Sequence, residues 1–150
     1  MNRLDVAKIS LIMGITGVIG CGTPPAVPGS IQPSLTQCGA GVAQIWVTDG
    51  FMQNLCGCVG PGEDRKMYSS PTALTCHLAN SQTQVFFYYG GALLQHQVVP
   101  TGLPSFVASP LYSPETPTFN LQHSVSLSQP TSIYSFQDSI SGMTGQILVP

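Results

Sequence analysis

The chain has 150 residues, enough for one domain with its own core, and only 7% of them are charged, for a formal net charge of −2. Its four basic residues are Arg3, Lys8, Arg65 and Lys66; no cluster of Lys and Arg exists to neutralise phosphates, which excludes nucleic acid as an expected partner. The 13 prolines and 16 glycines, with many β-branched residues and few helix formers, predict an all-β domain.

Residues 1–20 open with Arg3 and Lys8 and continue as an apolar run from Ile9 to Gly20. The run is too short for a stable membrane-spanning helix, so a signal peptide is expected, despite Asp5 in its charged part. The ending Val18-Ile19-Gly20-Cys21 resembles the lipobox of bacterial lipoproteins: aliphatic residues, a small residue, then the cysteine that takes the lipid. The resemblance implies cleavage before Cys21 and a lipid on that residue, hence a membrane-anchored protein with no spanning helix. Gly22, rather than Asp, after the cysteine favours an outer membrane over the rest of the periplasm or cell surface. The competing reading is an ordinary secretory signal with Cys21 as a plain cysteine. Without the leader, two basic residues remain against Asp49, Glu63, Asp64, Glu115 and Asp138, a mildly acidic balance.

A Pro-, Gly- and Ser-rich stretch follows, so residues 21–40 read as a flexible tether and residues 41–150 as the folded domain. Setting Cys21 aside leaves Cys38, Cys56, Cys58 and Cys76, an even number that suits two disulfides in an oxidising compartment. Cys56 and Cys58 are too close to bond each other well, so each is expected to bond to Cys38 or Cys76, in either pairing. A zinc site of four cysteines is the competitor, though the spacing lacks two CxxC knuckles.

Strands are expected at Val42–Thr48, Leu74–Leu78, Gln84–Tyr89, Gln95–Val99, Phe119–Leu127, Ile133–Phe136 and Gln146–Val149. Residues 57–70 read as a loop whose tip, Pro61 to Lys66, is solvated. In Leu74–Leu78 the alternation puts His77 on the solvent side with no evident partner. Tyr88 and Tyr89 read as one surface and one core residue. Residues 100–118 carry five prolines and read as an irregular crossover. Short strands at this spacing make a β-sandwich.

Three stretches of the domain resemble the cupredoxin family, the relatives of plastocyanin and azurin: Ser81-Gln-Thr-Gln-Val-Phe-Phe-Tyr-Tyr89, Leu94-Gln-His96-Gln-Val-Val99, and Tyr134-Ser-Phe136 followed by Met143-Thr-Gly145-Gln-Ile147-Leu-Val149. The resemblance implies a cupredoxin-like Greek-key β-sandwich. In that family a type 1 copper sits between two histidines and a cysteine thiolate, with a long axial methionine, and shuttles single electrons. His96 falls where the first histidine belongs and Met143 where the methionine belongs. The cysteine position, about six residues before the methionine, corresponds to Gln137, and the second histidine position to Ile140. Two of four ligands are therefore missing, the thiolate among them, and the resemblance implies a fold without a blue copper centre.

The candidate metal ligands are then His96, Met143, Asp138 and His123. Each also has a structural reading: His96 as a hydrogen-bonded strand-end residue, Met143 as a core plug, and His123 as a neutral core histidine able to approach His96. Asp138 and Gln137 are expected to hydrogen-bond the loop in place of a metal. No nucleophile elbow, paired carboxylates, phosphate loop or HExxH is present, so no enzymatic activity is expected. The sequence thus reads as an exported, lipid-anchored binding or structural module without a resident cofactor. The alternative is a copper carrier or store using His96 and Met143. Its partner other than the membrane is not named by any motif.

Overall fold

The structure, a computed structural model, describes residues 38–81, 83–89, 92–114 and 122–150. The leader, Cys21 and the tether up to residue 37 lie outside the described residues, as does the beginning of the expected strand at Phe119. No helix occurs among the described residues.

Nine strands run in chain order: β1 (Val42–Val47), β2 (Met52–Cys56), β3 (Met67–Tyr68), β4 (Leu74–His77), β5 (Thr83–Tyr88), β6 (Val98–Pro100), β7 (Gln122–Leu127), β8 (Ser132–Asp138) and β9 (Thr144–Val149). They form a five-stranded sheet in the order β3-β2-β1-β5-β7 and a four-stranded sheet in the order β4-β9-β8-β6. Both sheets are mixed, with β1 parallel to β5 and β4 parallel to β9. Pro100, which cannot donate to a ladder, sits in β6 at a sheet edge, where that costs least.

Period-two alternation builds the core. Ala43, Ile45 and Val47 of β1, Val85 and Phe87 of β5, Tyr134 and Phe136 of β8, and Ile147 and Val149 of β9 are all buried. Phe87 meets Phe136 across the sandwich, edge to face at 5.0 Å. Opposite Phe136 in the β8–β9 ladder lies Gly145, where a Cβ would come within 2.3 Å of the Phe136 ring. The glycine is there to make room for the ring.

The disulfides are Cys38–Cys56 and Cys58–Cys76, which resolves the open pairing and excludes the four-cysteine zinc site. Gly57 makes the division possible. Its φ of 83° turns the chain at the end of β2, so that Cys56 ends a strand of one sheet while Cys58 bridges to Leu78 beside β4 of the other. A Cβ at Gly57 would lie 2.2 Å from the Val42 carbonyl oxygen. Each bond closes a separation of 18 residues, worth about 3 kcal/mol of unfolded-chain entropy on the loop-closure estimate.

Two expectations of the loop region are corrected. Residues 57–70 contain β3, paired with β2. Glu63 is buried at 6% exposure rather than solvated, because its carboxylate engages His77. Oε2 accepts the His77 amide at 2.8 Å and Oε1 lies 2.5 Å from His77 Nδ1, so His77 does have a partner. Asn54, fully buried in β2, donates to the carbonyls of Glu63 and Thr75 and ties this loop to β4.

Candidate functional site

At one end of the sandwich three segments meet around His96. The β1–β2 turn supplies Asp49, and Thr48 shapes that turn by accepting the Phe51 amide on its hydroxyl and donating to the Phe51 carbonyl. The chain before β6 supplies His96, held by paired backbone hydrogen bonds with Tyr112 at 3.1 and 2.8 Å. The last residue of β8 supplies Asp138.

His96 is 1% exposed, and both of its ring nitrogens face carboxylates. Nδ1 lies 2.8 Å from Asp138 Oδ2 and Nε2 lies 2.9 Å from Asp49 Oδ1. A neutral imidazole has one N–H, so one carboxylate would then meet a lone pair; only the imidazolium donates to both. Burial by itself would depress the His96 pKa, but the hydrogen bonds and charges of Asp138 and Asp49 outweigh it and raise the value above the ordinary one. Near-parallel rings of Tyr89 and Tyr112 stack with the imidazole at 6.4 and 6.5 Å between centroids.

Asp138 is completely buried. Burial pushes its pKa up; His96, the Ser141 hydroxyl and the Gln97 amide together pull it down to about 2. It accepts the backbone amides of Gln97 at 2.9 Å and Ser141 at 3.1 Å, and also the Ser141 hydroxyl. Its own backbone closes the turn, the amide donating to the Met143 carbonyl and the carbonyl accepting from Gly142, whose φ of 74° suits the tight bend. Asp49 is about one-third exposed and also accepts the amides of Leu93 and Leu94. For it too, burial is outweighed, here by His96 and these amides, and the pKa is lowered.

The sequence-derived candidates therefore separate. His96 and Asp138 meet. Met143, 6% exposed, belongs to the apolar core cluster, as a plug would. His123 does not join them: it is half-buried on β7 of the other sheet, its Nε2 donating to the Val107 carbonyl at 3.0 Å. Ile140 is half exposed. Strand parity separates Gln137 from its neighbour Asp138. In β8 the inward positions are Tyr134, Phe136 and Asp138, so Gln137 belongs to the outward set and the group that faces His96 comes from position 138. Asp49 was missed altogether. An acidic residue before a glycine reads as ordinary turn chemistry, and it lies 47 positions from the histidine it binds.

The type 1 copper of the cupredoxin family does not fit these residues. A type 1 site needs a thiolate, and Cys38, Cys56, Cys58 and Cys76 are all in disulfides. It also needs a neutral imidazole nitrogen free to ligate, and both nitrogens of His96 are taken. Among the described residues no group of three or more His, Cys, Asp or Glu is arranged to hold a metal ion.

No family model and no curated protein matches the chain. Among solved structures it is similar to reduced auracyanin from the photosynthetic bacterium Roseiflexus castenholzii, with 11% identity and a TM-score of 0.44 over 75% of this chain and 99% of that one. It is also similar to reduced rusticyanin, with 15% identity and a TM-score of 0.41 over 76% of this chain and 83% of that one. Both are cupredoxins, the family that the sequence pattern resembles. At this distance the likeness is one of strand arrangement, and function has to come from this chain's own residues.

Proposed function

We propose that this is an exported, lipid-anchored cupredoxin-like protein that acts as a metal-free binding or structural module, with a carboxylate–imidazolium–carboxylate lock in the place of a copper centre. The observation that carries the reading is the double engagement of His96 by Asp49 and Asp138. A cation of fixed position, the imidazolium, already neutralises the buried carboxylate, so a metal ion would have to displace a proton and break two charge-assisted hydrogen bonds to enter. The lock also has a mechanical consequence. Through the Leu93 and Leu94 amides, Asp49 pins a surface segment whose two leucine side chains are 71% and 59% exposed. Holding apolar side chains in a set position on the surface is what a binding module needs and what an electron carrier without a thiolate does not explain.

The test is to incubate the purified full chain and its His96→Gln variant with copper salts, under oxidising and reducing conditions, then desalt and record metal content and visible spectrum. The expected result is well below one copper per chain and no thiolate-to-copper band in either protein. Stoichiometric copper in the wild type that is lost in His96→Gln would overturn the proposal in favour of a copper carrier or store. Anchoring rests on the Val18–Cys21 pattern and is tested by fractionation: Cys21→Ala should move the protein out of the bacterial membrane fraction, and an unchanged distribution refutes the lipid.

A further inference from the structure

The two disulfides occupy different surroundings. Cys58 and Cys76 are 4% and 0% exposed and belong to the apolar core cluster. Cys38 and Cys56 are only half-buried, and both line a cleft of about 490 Å³ that also includes Gly39, Gly41, Asp64 and Arg65. Exchange of a disulfide requires a thiolate to approach one sulfur from the side opposite the other, and a cleft of this size beside the bond gives it room; a core disulfide offers none. Arg65 lines the same cleft, as does Asp64.

The consequences of cutting the two bonds also differ. Cys38 lies in no strand, and Cys56 is held in β2 by its ladder to β1 through Gln44. Breaking Cys38–Cys56 therefore removes a covalent tie and leaves both sheets paired. Breaking Cys58–Cys76 would put two thiols in the core at the place where the Cys58–Leu78 bridge joins the end of β4.

We propose that Cys38–Cys56 is an exchangeable redox site for a dithiol reductant, and that Cys58–Cys76 is a structural staple. One thiolate of the reductant attacks one sulfur of the pair, the S–S bond breaks and the other cysteine leaves as a thiolate. The reductant's second thiolate then attacks the mixed disulfide, releases the remaining cysteine and closes its own disulfide. Two electrons and two protons pass from the dithiol to the cysteine pair. The product is a folded domain that carries thiols at Cys38 and Cys56 and keeps the Cys58–Cys76 bond. The site is remote from the His96 lock in its chemistry and stands or falls separately from the metal-free reading.

The test uses the full chain with dithiothreitol as the dithiol, quenched at intervals with N-ethylmaleimide and analysed by peptide mass spectrometry, with near-ultraviolet circular dichroism read in parallel. Cys38 and Cys56 should be alkylated at least tenfold faster than Cys58 and Cys76, with the dichroism unchanged during the fast phase. A Cys38→Ser, Cys56→Ser double variant should keep the same spectrum and show no fast phase. Equal rates for the two pairs, the reverse order, or labelling only in step with loss of the spectrum would each overturn the proposal.

Discussion

Replacing His96 by Gln is the perturbation that most directly probes the lock. The glutamine amide has donors at one end only, so it can serve one carboxylate and must turn an oxygen or a gap toward the other. Asp138 is the partner that matters, because it is completely buried while Asp49 is about one-third exposed. Removing one member of a buried ion pair costs about 3–5 kcal/mol. Asp138 keeps four donors, the Gln97, Ile140 and Ser141 amides and the Ser141 hydroxyl, which places the loss at the low end of that range. On the Asp49 side the water-screened contact adds no more than about 1 kcal/mol. The expected total is about 3 kcal/mol at pH 6, read from urea unfolding with EDTA present throughout. A double-mutant cycle with Asp138→Asn isolates the pair, and its coupling should be about 2 kcal/mol, since the variant carboxylate no longer needs the cation once it is an amide. A loss below 1 kcal/mol, or an additive cycle, would refute the reasoning. EDTA itself should leave the wild-type midpoint unmoved, whereas a ligand bound only to the folded state would make it fall.

The lock also sets the pH dependence. Asp138 has its value depressed from 3.8 to about 2, so its contribution of about 2 kcal/mol is whole above pH 4 and disappears as pH falls toward 2; His96 is raised, so its contribution is whole below about 6.5 and is lost as pH climbs through the folded value. Unfolding free energy should therefore peak between about pH 4 and 6.5 and decline on both sides, and the alkaline decline should vanish in His96→Gln. Gly57→Ala should cost about 2–3 kcal/mol in the same urea assay, because it combines a left-handed φ with a 2.2 Å approach to the Val42 carbonyl; a cost under 1 kcal/mol would mean that the corner between the sheets is not tightly held.

The architecture was legible where burial follows one simple period. Leu74 and Cys76 inward with His77 outward, and the Tyr134, Phe136 and Ile147, Val149 sets, can be read directly from alternation. β2 was not legible because its inward face carries Asn54, a fully buried amide that breaks the apolar pattern and is tolerated only because it bonds to two carbonyls. Glu63 misled for the opposite reason. In Pro61-Gly62-Glu63-Asp64-Arg65-Lys66 every neighbour argues for solvent, and only the fold brings His77 to its carboxylate. Cysteine counting correctly limited the pairing to two choices; choosing between them needed the φ of Gly57, which no spacing rule contains.

The candidate site shows how strand parity carries chemical meaning. Spacing from Met143 pointed to Gln137 as the position corresponding to the cysteine, with Asp138 beside it as a candidate ligand or hydrogen-bonding residue. Strand parity puts Asp138 on the inner face instead, and changing register by one residue exchanges an outward amide for an inward carboxylate. That carboxylate has zero exposure and a lowered pKa, and among the described residues His96 is the cationic partner in contact with it. His96 in turn needs a second acceptor for its other N–H, and Asp49 provides it from a turn that also fastens Leu93 and Leu94. Each residue of the lock is therefore explained by the next: the buried Asp138 requires a protonated His96, and a protonated His96 at 1% exposure requires Asp49. The site has a closed set of donors and acceptors, and the carbonyl–amide turn around Asp138 is built to keep it closed.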